Sequence, residues 1–245
     1  MMKKWIVGAA SAVCLAGAAH AFDLGSAIKI GSDMVKTATL SDSDVKQLAS
    51  ESRKTLDKQN KIAPASSAYS KRLARITKGM KNEEGMNLNF KVYLTKDINA
   101  FAMADGTVRV YSGLMDKMTD DEVRYVIGHE IGHVKLGHTR KAMQLAYGTT
   151  AVRNAAAASG NSSLSTLSSS ELGDFAEKLV NAQFSQSQES DADAYSVEFL
   201  KRHHYNTQAA VSALQKLAAL GGNDSSVLAS HPAPLERAAK VEKLL

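Results

Sequence analysis

The sequence is poor in cysteine, in proline and in long apolar runs, and each shortage narrows what the protein can be. Its 245 residues include one cysteine and three prolines. Cys14 lies in an apolar N-terminal segment, so the rest of the chain has no thiol for a disulfide, a nucleophile or a metal ligand. Stability must therefore come from a hydrophobic core, which a chain of this length can bury.

After residue 21 there is no apolar run long enough to span a bilayer. The apolar stretch at 5–18 follows Lys3 and Lys4 and precedes Ala19-His20-Ala21. A basic start, a short apolar run and a small-x-small site are typical of a cleavable secretory signal peptide. We expect residues 1–21 to be removed and residues 22–245 to form one domain. An interfacial anchor or a buried helix is the alternative interpretation.

A strong excess of one charge is also absent. The formal net charge is +5, and it falls by two without Lys3 and Lys4. This balance does not favour a nucleic-acid partner. The basic run at 71–81 is predicted to be the solvated face of a helix, with peripheral contact to an anionic membrane surface as the alternative.

Scarce proline and long stretches of helical period predict a mainly helical α+β protein. Helices are predicted at 41–61, 66–81, 119–138, 140–158, 170–203, 207–220 and 234–245. Strands are predicted at 89–94, 100–103 and 107–111, with Asp105-Gly106 as a hairpin turn between the last two. The Ser-, Gly- and Asn-rich segment 159–170 is predicted to be a surface connection; a mobile flap over a site is the alternative.

One predicted helix carries histidines on a face that is otherwise apolar. Thr119 with Glu122 forms a capping-box pattern that predicts its first turn. At about 100° per residue, His129 and His133 lie one turn apart on one face, where both imidazoles can reach a single ion. Glu130 points off their common axis, which places its carboxylate beside a metal as a general base. This pattern predicts a catalytic zinc site; a chance pentapeptide with two buried structural histidines is the alternative.

Catalytic zinc sites use three protein ligands and leave one position open. His138 is out of phase with His133 by about 140°, and we interpret His138, His203 and His204 as surface residues. Glu189 and Asp193 lie at i and i+4 on the inward face of the helix predicted for 170–203. We therefore predict Glu189 as the third ligand and Asp193 as the acceptor for a ligand histidine N–H. A solvated acidic cluster is the alternative.

These motifs, with Ser230-His231-Pro232 and Arg237, resemble the HtpX and CAAX-prenyl-protease family of gluzincin peptidases, in particular its soluble periplasmic branch. The resemblance extends from about residue 61 to residue 237. It also includes the segments 99–102, 110–115 and 182–185. It implies a zincin-like domain with a small sheet beside a zinc cleft, and it places the protein in the periplasm.

The resemblance also implies roles for individual residues. His129, His133 and Glu189 would bind one Zn²⁺, Glu130 would be the base and Asp193 would orient a ligand. His231 would donate to the oxyanion or take the fourth zinc position in a resting state, and Arg237 would lie near the substrate; a structural helix-entry residue is the alternative for His231. Asn99, Ala100, Phe101 and Ala102 would hold an extended substrate as an edge strand. The alternative is an ordinary hairpin strand with Phe101 in the core.

The expected function is hydrolysis of peptide bonds in unfolded or misassembled envelope proteins. A periplasmic chaperone that holds clients in the same cleft is a second hypothesis, which predicts that Glu130→Gln keeps most function in vivo. A zinc-binding structural protein is a third, disfavoured because structural zinc sites are closed by four ligands.

Overall fold

A computed structural model describes residues 40–155, 167–220 and 226–245. The predicted signal peptide with Cys14, residues 156–158 of the helix predicted at 140–158 and residues 159–166 of the predicted surface connection lie outside these residues. The helices are α1 (Asp42–Gln59), α2 (Ala68–Ile76), α3 (Ser112–Lys117), α4 (Asp120–Lys135), α5 (His138–Ala155), α6 (Ser169–Val180), α7 (Gln186–Arg202), α8 (Gln208–Ala219), α9 (Ser226–Ser230) and α10 (Pro234–Val241), followed by a 3₁₀ turn at Glu242–Leu244. The mainly helical α+β class is confirmed.

A three-stranded sheet lies between α2 and α3 in the chain. Its strands are β3 (Asn89–Tyr93), β4 (Ala100–Ala102) and β5 (Thr107–Tyr111), in the order β3-β5-β4. Strand β3 runs parallel to β5, and β4 runs antiparallel to it through the predicted turn, where Gly106 has a φ of +87°. A separate small hairpin, β1 (Asn82–Glu83) with β2 (Met86–Asn87), precedes the sheet and was not predicted. Strand β4 is thus an edge strand.

The hydrogen-bond register of β4 leaves alternate backbone groups free. Asn99 accepts from the Tyr111 N–H, and the Met103 N–H donates to Thr107, so the odd-numbered residues 99, 101 and 103 face β5. In an antiparallel ladder the intervening residues point the other way. The N–H and C=O groups of Ala100 and Ala102 therefore point away from β5, where the Ala100 N–H donates to Oδ1 of Asn99.

The core has two parts, on the two faces of the sheet. The larger surrounds α4, which is buried against β4, α7 and α8. The smaller contains Tyr93, Phe101 and Tyr111 and is covered by α1 and α6. Phe101 lies in this second core, with ring centroids 6.1 Å from Tyr93 and 6.4 Å from Tyr111. Phe101 therefore lies in the core, as the alternative interpretation expected, and its backbone faces β5, so a substrate could pair only with the neighbouring alanines.

The single helix predicted for 170–203 is wrong. Helix α6 ends at Val180, and α7 starts afresh at Gln186. Ser185 caps α7 by accepting from the Gln188 N–H while the Gln188 side chain accepts from the Ser185 N–H. This capping box gives α7 its own start, so the phase that relates Glu189 to Asp193 does not extend back to α6. Within the described part of the chain, no helix is long and apolar enough to cross a membrane.

Candidate metal centre and cleft

Helix α4 presents His129, Glu130 and His133, and its capping box is present as predicted. Two glycines let α7 approach these residues closely. A Cβ at Gly128 would lie 2.7 Å from Phe199 and Ser196, and one at Gly132 would lie 3.0 Å from Tyr195. Larger residues would push the helices apart. The close approach places the acidic residues of α7 against the histidines of α4.

Four side chains from three segments meet at one point. The atoms of His129, His133, Glu189 and His231 that could bind a metal all lie within 4.8 Å of one another, and all four residues are buried. Nε2 of His129 lies 3.0 Å from Nε2 of His133 and 3.3 Å from Nδ1 of His231. Oε1 of Glu189 lies 3.4 Å from Nε2 of His133 and 3.0 Å from Nδ1 of His231. Ligands about 2.1 Å from a tetrahedral zinc ion are separated by about 3.4 Å, so these spacings fit the ion.

The chemistry of the donors also fits a cation. His129 Nδ1 lies 2.9 Å from Oδ1 of Asp193. An N–H directed at that carboxylate leaves a lone pair on Nε2, which lies 3.0 Å from Nε2 of His133, so one cation could bind both nitrogens. Oε2 of Glu189 makes no hydrogen bond, although its nearest cation, Arg237 Nη1, is 2.6 Å away. A metal ion would satisfy these buried groups together.

A second layer of side chains holds the acidic residues in place. Arg237 donates from Nε to Oδ2 of Asp193 at 2.9 Å and from Nη2 to Oδ1 at 2.6 Å. The Tyr125 hydroxyl donates to the same Oδ1 at 2.6 Å. Burial alone would raise the pKa of Asp193, but hydrogen bonds from Arg237 and His129 hold it well below its usual range. The predicted position of Asp193 behind a histidine is what the structure shows; its effect on zinc stays a prediction.

The environment also favours the protonation states that metal ligands need. Burial raises the pKa of Glu189, but His231, His133 and His129 outweigh this and hold it far below its usual range. Burial lowers the pKa of His133 well below its ordinary value. Ligands bind as carboxylate and neutral imidazole, so the site is prepared for a cation.

Glu130 lies in a cleft between β4 and α6. The cleft is lined by Ala100, Phe101, Ala102, Met103, Glu130, Thr139, Ala142, Leu179, Val180, Phe184 and His231. Burial raises the pKa of Glu130, with His231 and His129 opposing the rise. His231 Nε2 lies 3.4 Å from Oε1 of Glu130, so His231 contacts both Glu130 and Glu189. The structure thus brings the predicted base, His231 and the predicted edge strand to one cavity, and His231 connects this cavity to the predicted ligand Glu189.

The surface position predicted for His138 is wrong. Its side chain is buried, and its Nδ1 lies 3.1 Å from Nδ1 of His133. The chain turns sharply after α4, at Gly137 with a φ of +77°, so His138 no longer follows the phase of that helix. His138 does not belong to the group that could hold the metal. His203 is half-buried against Glu83, and His204 is exposed as predicted.

Two of the residues predicted to contact substrate are buried and already contact other groups of the protein. Arg237 is buried and contacts Asp193 and Glu189, so its role toward substrate stays a prediction. Asn99 is 1% exposed, and its Oδ1 accepts from the Ala100 N–H at 2.9 Å. Sequence reasoning missed Tyr125 and the contact of His138. Tyr125 had a signal, since it lies one turn before His129 on the same helix.

Comparison with known proteins finds a peptidase family and several metalloproteases that are similar to this chain. The sequence model of peptidase family M48 matches residues 67–245. Metalloprotease LoiP of Escherichia coli is 46% identical over 97% of this chain and 94% of its own length. Metalloprotease YcaL of the same species is 46% identical over 94% of this chain and 92% of its own. The Beta-barrel assembly-enhancing protease of Yersinia pestis is 31% identical over 64% of this chain, which spans 34% of that relative.

Proposed function

The chain belongs to peptidase family M48 and is a metalloprotease, and we propose that it is a zinc endopeptidase that degrades unfolded or misassembled envelope proteins. The observation that carries the proposal is the meeting of His129, His133 and Glu189 with His231, which also contacts Glu130 in the cleft. Their spacing suits zinc, and their nitrogen and carboxylate donors are the ligand types that zinc uses in hydrolytic sites.

His129, His133 and Glu189 would hold the ion, with Asp193 fixing the ring of His129. When bound, zinc polarises the scissile carbonyl and lowers the pKa of water. Glu130 accepts a proton from the attacking water and donates it to the leaving amine. His231 lies between Glu130 and Glu189, where it can donate to the oxyanion from Nε2 or close the fourth metal position through Nδ1 in a resting state.

Substrate binding is proposed to use the free edge of β4. The N–H and C=O groups of Ala102 point away from β5, and this strand lines the cleft beside Glu130. Backbone pairing gives affinity with little demand on sequence. This suits unfolded clients, whose common feature is an accessible extended backbone. Arg237 is proposed to act on substrate through the groups that it contacts.

We also propose that residues 1–21 are a signal peptide and that residues 22–245 work in the periplasm. The basic, apolar and small-residue order of the N-terminus supports this proposal. Mass spectrometry of protein purified from the periplasm tests it: the expected N-terminus is Phe22.

The decisive experiment separates the base from the ligands. Glu130→Gln is expected to retain about one zinc per chain and to lose roughly 10²- to 10⁴-fold in casein cleavage, because both the proton acceptor and the later donor are lost. Metal analysis and the cleavage assay are run on the same preparation. Full cleavage by a purified, zinc-loaded Glu130→Gln protein would exclude the mechanism. A client-holding chaperone would instead keep its function in vivo with this variant.

A further inference from the structure

The aromatic ring of Phe184 lies flat against a candidate metal ligand. Its centroid is 3.8 Å from that of His133, with 21° between the ring planes. It also faces His231, at 5.6 Å and 30°. Phe184 is half-buried and lines the cleft. We propose that Phe184 is a positioning residue that fixes the ring of His133 and shields the ligand cluster from the water of the cleft; the inference rests on the proposed zinc site.

The start of α7 explains why the ring lies there. Ser185 is the N-cap, so Phe184 occupies the position before it and Glu189 is the fourth residue of the helix. A hydrophobic residue before the cap commonly packs against a hydrophobic fourth residue of the helix, but in this helix the fourth residue is Glu189. Here that fourth residue is a candidate ligand, and the ring packs on the ligand histidine beside it. The capping box therefore fixes Phe184 and Glu189 together.

A backbone contact ties the same residue to the segment that carries His231. The Phe184 N–H donates to the carbonyl of Ser230 at 3.5 Å. Phe184 is thus linked to three of the four candidate ligands: by stacking to His133, by chain geometry to Glu189 and by this contact to His231. Its displacement would loosen all three.

The stack complements the contact made by His138. The hydrogen-bonding distance of 3.1 Å between Nδ1 of His133 and Nδ1 of His138 restrains the imidazole within its own plane. A flat ring on the face of His133 restrains its tilt. The two contacts therefore resist different motions. Without the phenyl ring, His133 can tilt and water can reach its metal-binding nitrogen.

Metal release measures this role without depending on catalysis. Zinc-loaded wild type, Phe184→Ala, Phe184→Leu and Phe184→Tyr are mixed with excess chromogenic chelator, and the rate of zinc transfer is followed. Phe184→Ala is expected to release zinc about 10- to 100-fold faster, in line with the loss of other groups that orient ligands. Phe184→Leu keeps apolar bulk but lacks a flat face and should fall between Ala and wild type. Phe184→Tyr should behave as wild type.

Leu179→Ala is the matched control, because Leu179 lines the same cleft and belongs to none of the ligand contacts. It is expected to release zinc at the wild-type rate. The absorption spectrum of the cobalt-substituted protein gives a second measurement. The visible bands should shift in Phe184→Ala, because the ligand field changes when His133 tilts, and they should stay unchanged in Leu179→Ala.

The inference is overturned if Phe184→Ala keeps the wild-type release rate and cobalt spectrum, or if Leu179→Ala accelerates release equally, since Phe184 is then only a cleft wall. Failure of the proposed function gives a different result: wild type binds no stoichiometric zinc, or Glu130→Gln cleaves at full rate. Wild type that binds zinc and cleaves, together with an unaffected Phe184→Ala, rejects the positioning role alone.

Discussion

Two clusters of buried charge lie on the two sides of the sheet, and they are completed in different ways. One is the metal-ligand cluster of His129, His133, Glu189 and His231. The other centres on Arg109, which is fully buried in β5 and lies opposite Phe101 of β4. Both remove polar groups from water, which costs free energy unless the groups find partners.

The Arg109 cluster is complete within the protein. Nε and Nη2 of Arg109 donate to the two carboxylate oxygens of Asp57 at 2.9 and 3.0 Å, and Nη1 donates to the carbonyls of Asn89 and Val108. The Tyr93 hydroxyl donates to Asp57 at 2.7 Å. Donors meet acceptors throughout. In the metal-ligand cluster, nitrogen faces nitrogen at 3.0 Å. The Arg109 cluster joins α1 to the sheet, whereas the metal-ligand cluster has the donor set of a site that could hold an ion.

The largest expected difference between the two clusters is in zinc content, and Glu189→Ala tests it. It removes an anionic ligand, so zinc content and peptide hydrolysis are expected to fall to background. Arg109→Met should keep about one zinc per folded chain because it touches no ligand. Metal analysis of the gel-filtered monomer checks both variants. Stoichiometric zinc in Glu189→Ala would remove Glu189 from the ligand set.

Groups behind the ligands should have smaller effects. Asp193→Ala is expected to weaken zinc binding by about 10- to 100-fold, because Asp193 orients His129 and is itself held by Arg237 and Tyr125. His138→Ala should leave zinc bound, with a smaller loss of affinity from the missing contact to His133. Titration against a competing chelator ranks the two. A greater loss in His138→Ala than in Glu189→Ala would show that the ligands were assigned wrongly.

What could be predicted from the sequence was mostly local. The relation of His129 and Glu130 to His133 lies within one helix, and that of Glu189 to Asp193 within another. Helical phase alone placed the two histidines on one face with Glu130 beside it, and the two carboxylates on one face of the other helix. The side of the sheet on which Arg109 is buried depends on α1, about fifty residues earlier, and no local pattern marks it. His138 follows a glycine turn that breaks the phase of α4. The capping-box pattern of Ser185 and Gln188 indicates that α7 starts separately from α6. It was missed because the residues on both sides are also compatible with a continuous helix.

The free edge of β4 allows a test of substrate binding that leaves both clusters intact. Ala102→Pro removes an N–H that does not pair with β5, so zinc content and thermal melting should stay near wild type. Peptide hydrolysis is expected to fall by about tenfold or more, since the substrate loses a backbone donor. Phe101→Pro is the contrasting variant: its N–H faces β5, so it should lower the melting temperature. If Ala102→Pro cleaves at full rate, substrate does not pair with this strand.

Arg109→Met should affect stability far more than chemistry. It leaves the Asp57 carboxylate without its main partner in a nearly buried position, which is expected to cost about 3 kcal/mol of unfolding free energy. Urea unfolding measures the loss. Hydrolysis per folded, zinc-loaded molecule should be unchanged at low temperature. A matching loss of activity per folded molecule would show that the tie between α1 and the sheet also shapes the cleft.

The smallest expected effect is the pH dependence of the stability that the contact between Asp57 and Arg109 contributes. Burial raises the pKa of Asp57, but hydrogen bonds from Arg109 and Tyr93 outweigh burial and lower it to about 2, from its ordinary value of 3.8. In the window between these values the unfolded chain binds more protons than the folded protein, so stability falls as the pH falls. The contribution is present above about pH 4 and, after a reduction for screening by solvent, is worth about 1–2 kcal/mol. Asp57→Asn should therefore be less stable than wild type at pH 6, with a smaller deficit at pH 3. Using the difference between the two proteins cancels any loss of metal that they share in acid. A deficit that is constant from pH 6 to pH 2 would show that the carboxylate charge of Asp57 does not hold α1 to the sheet.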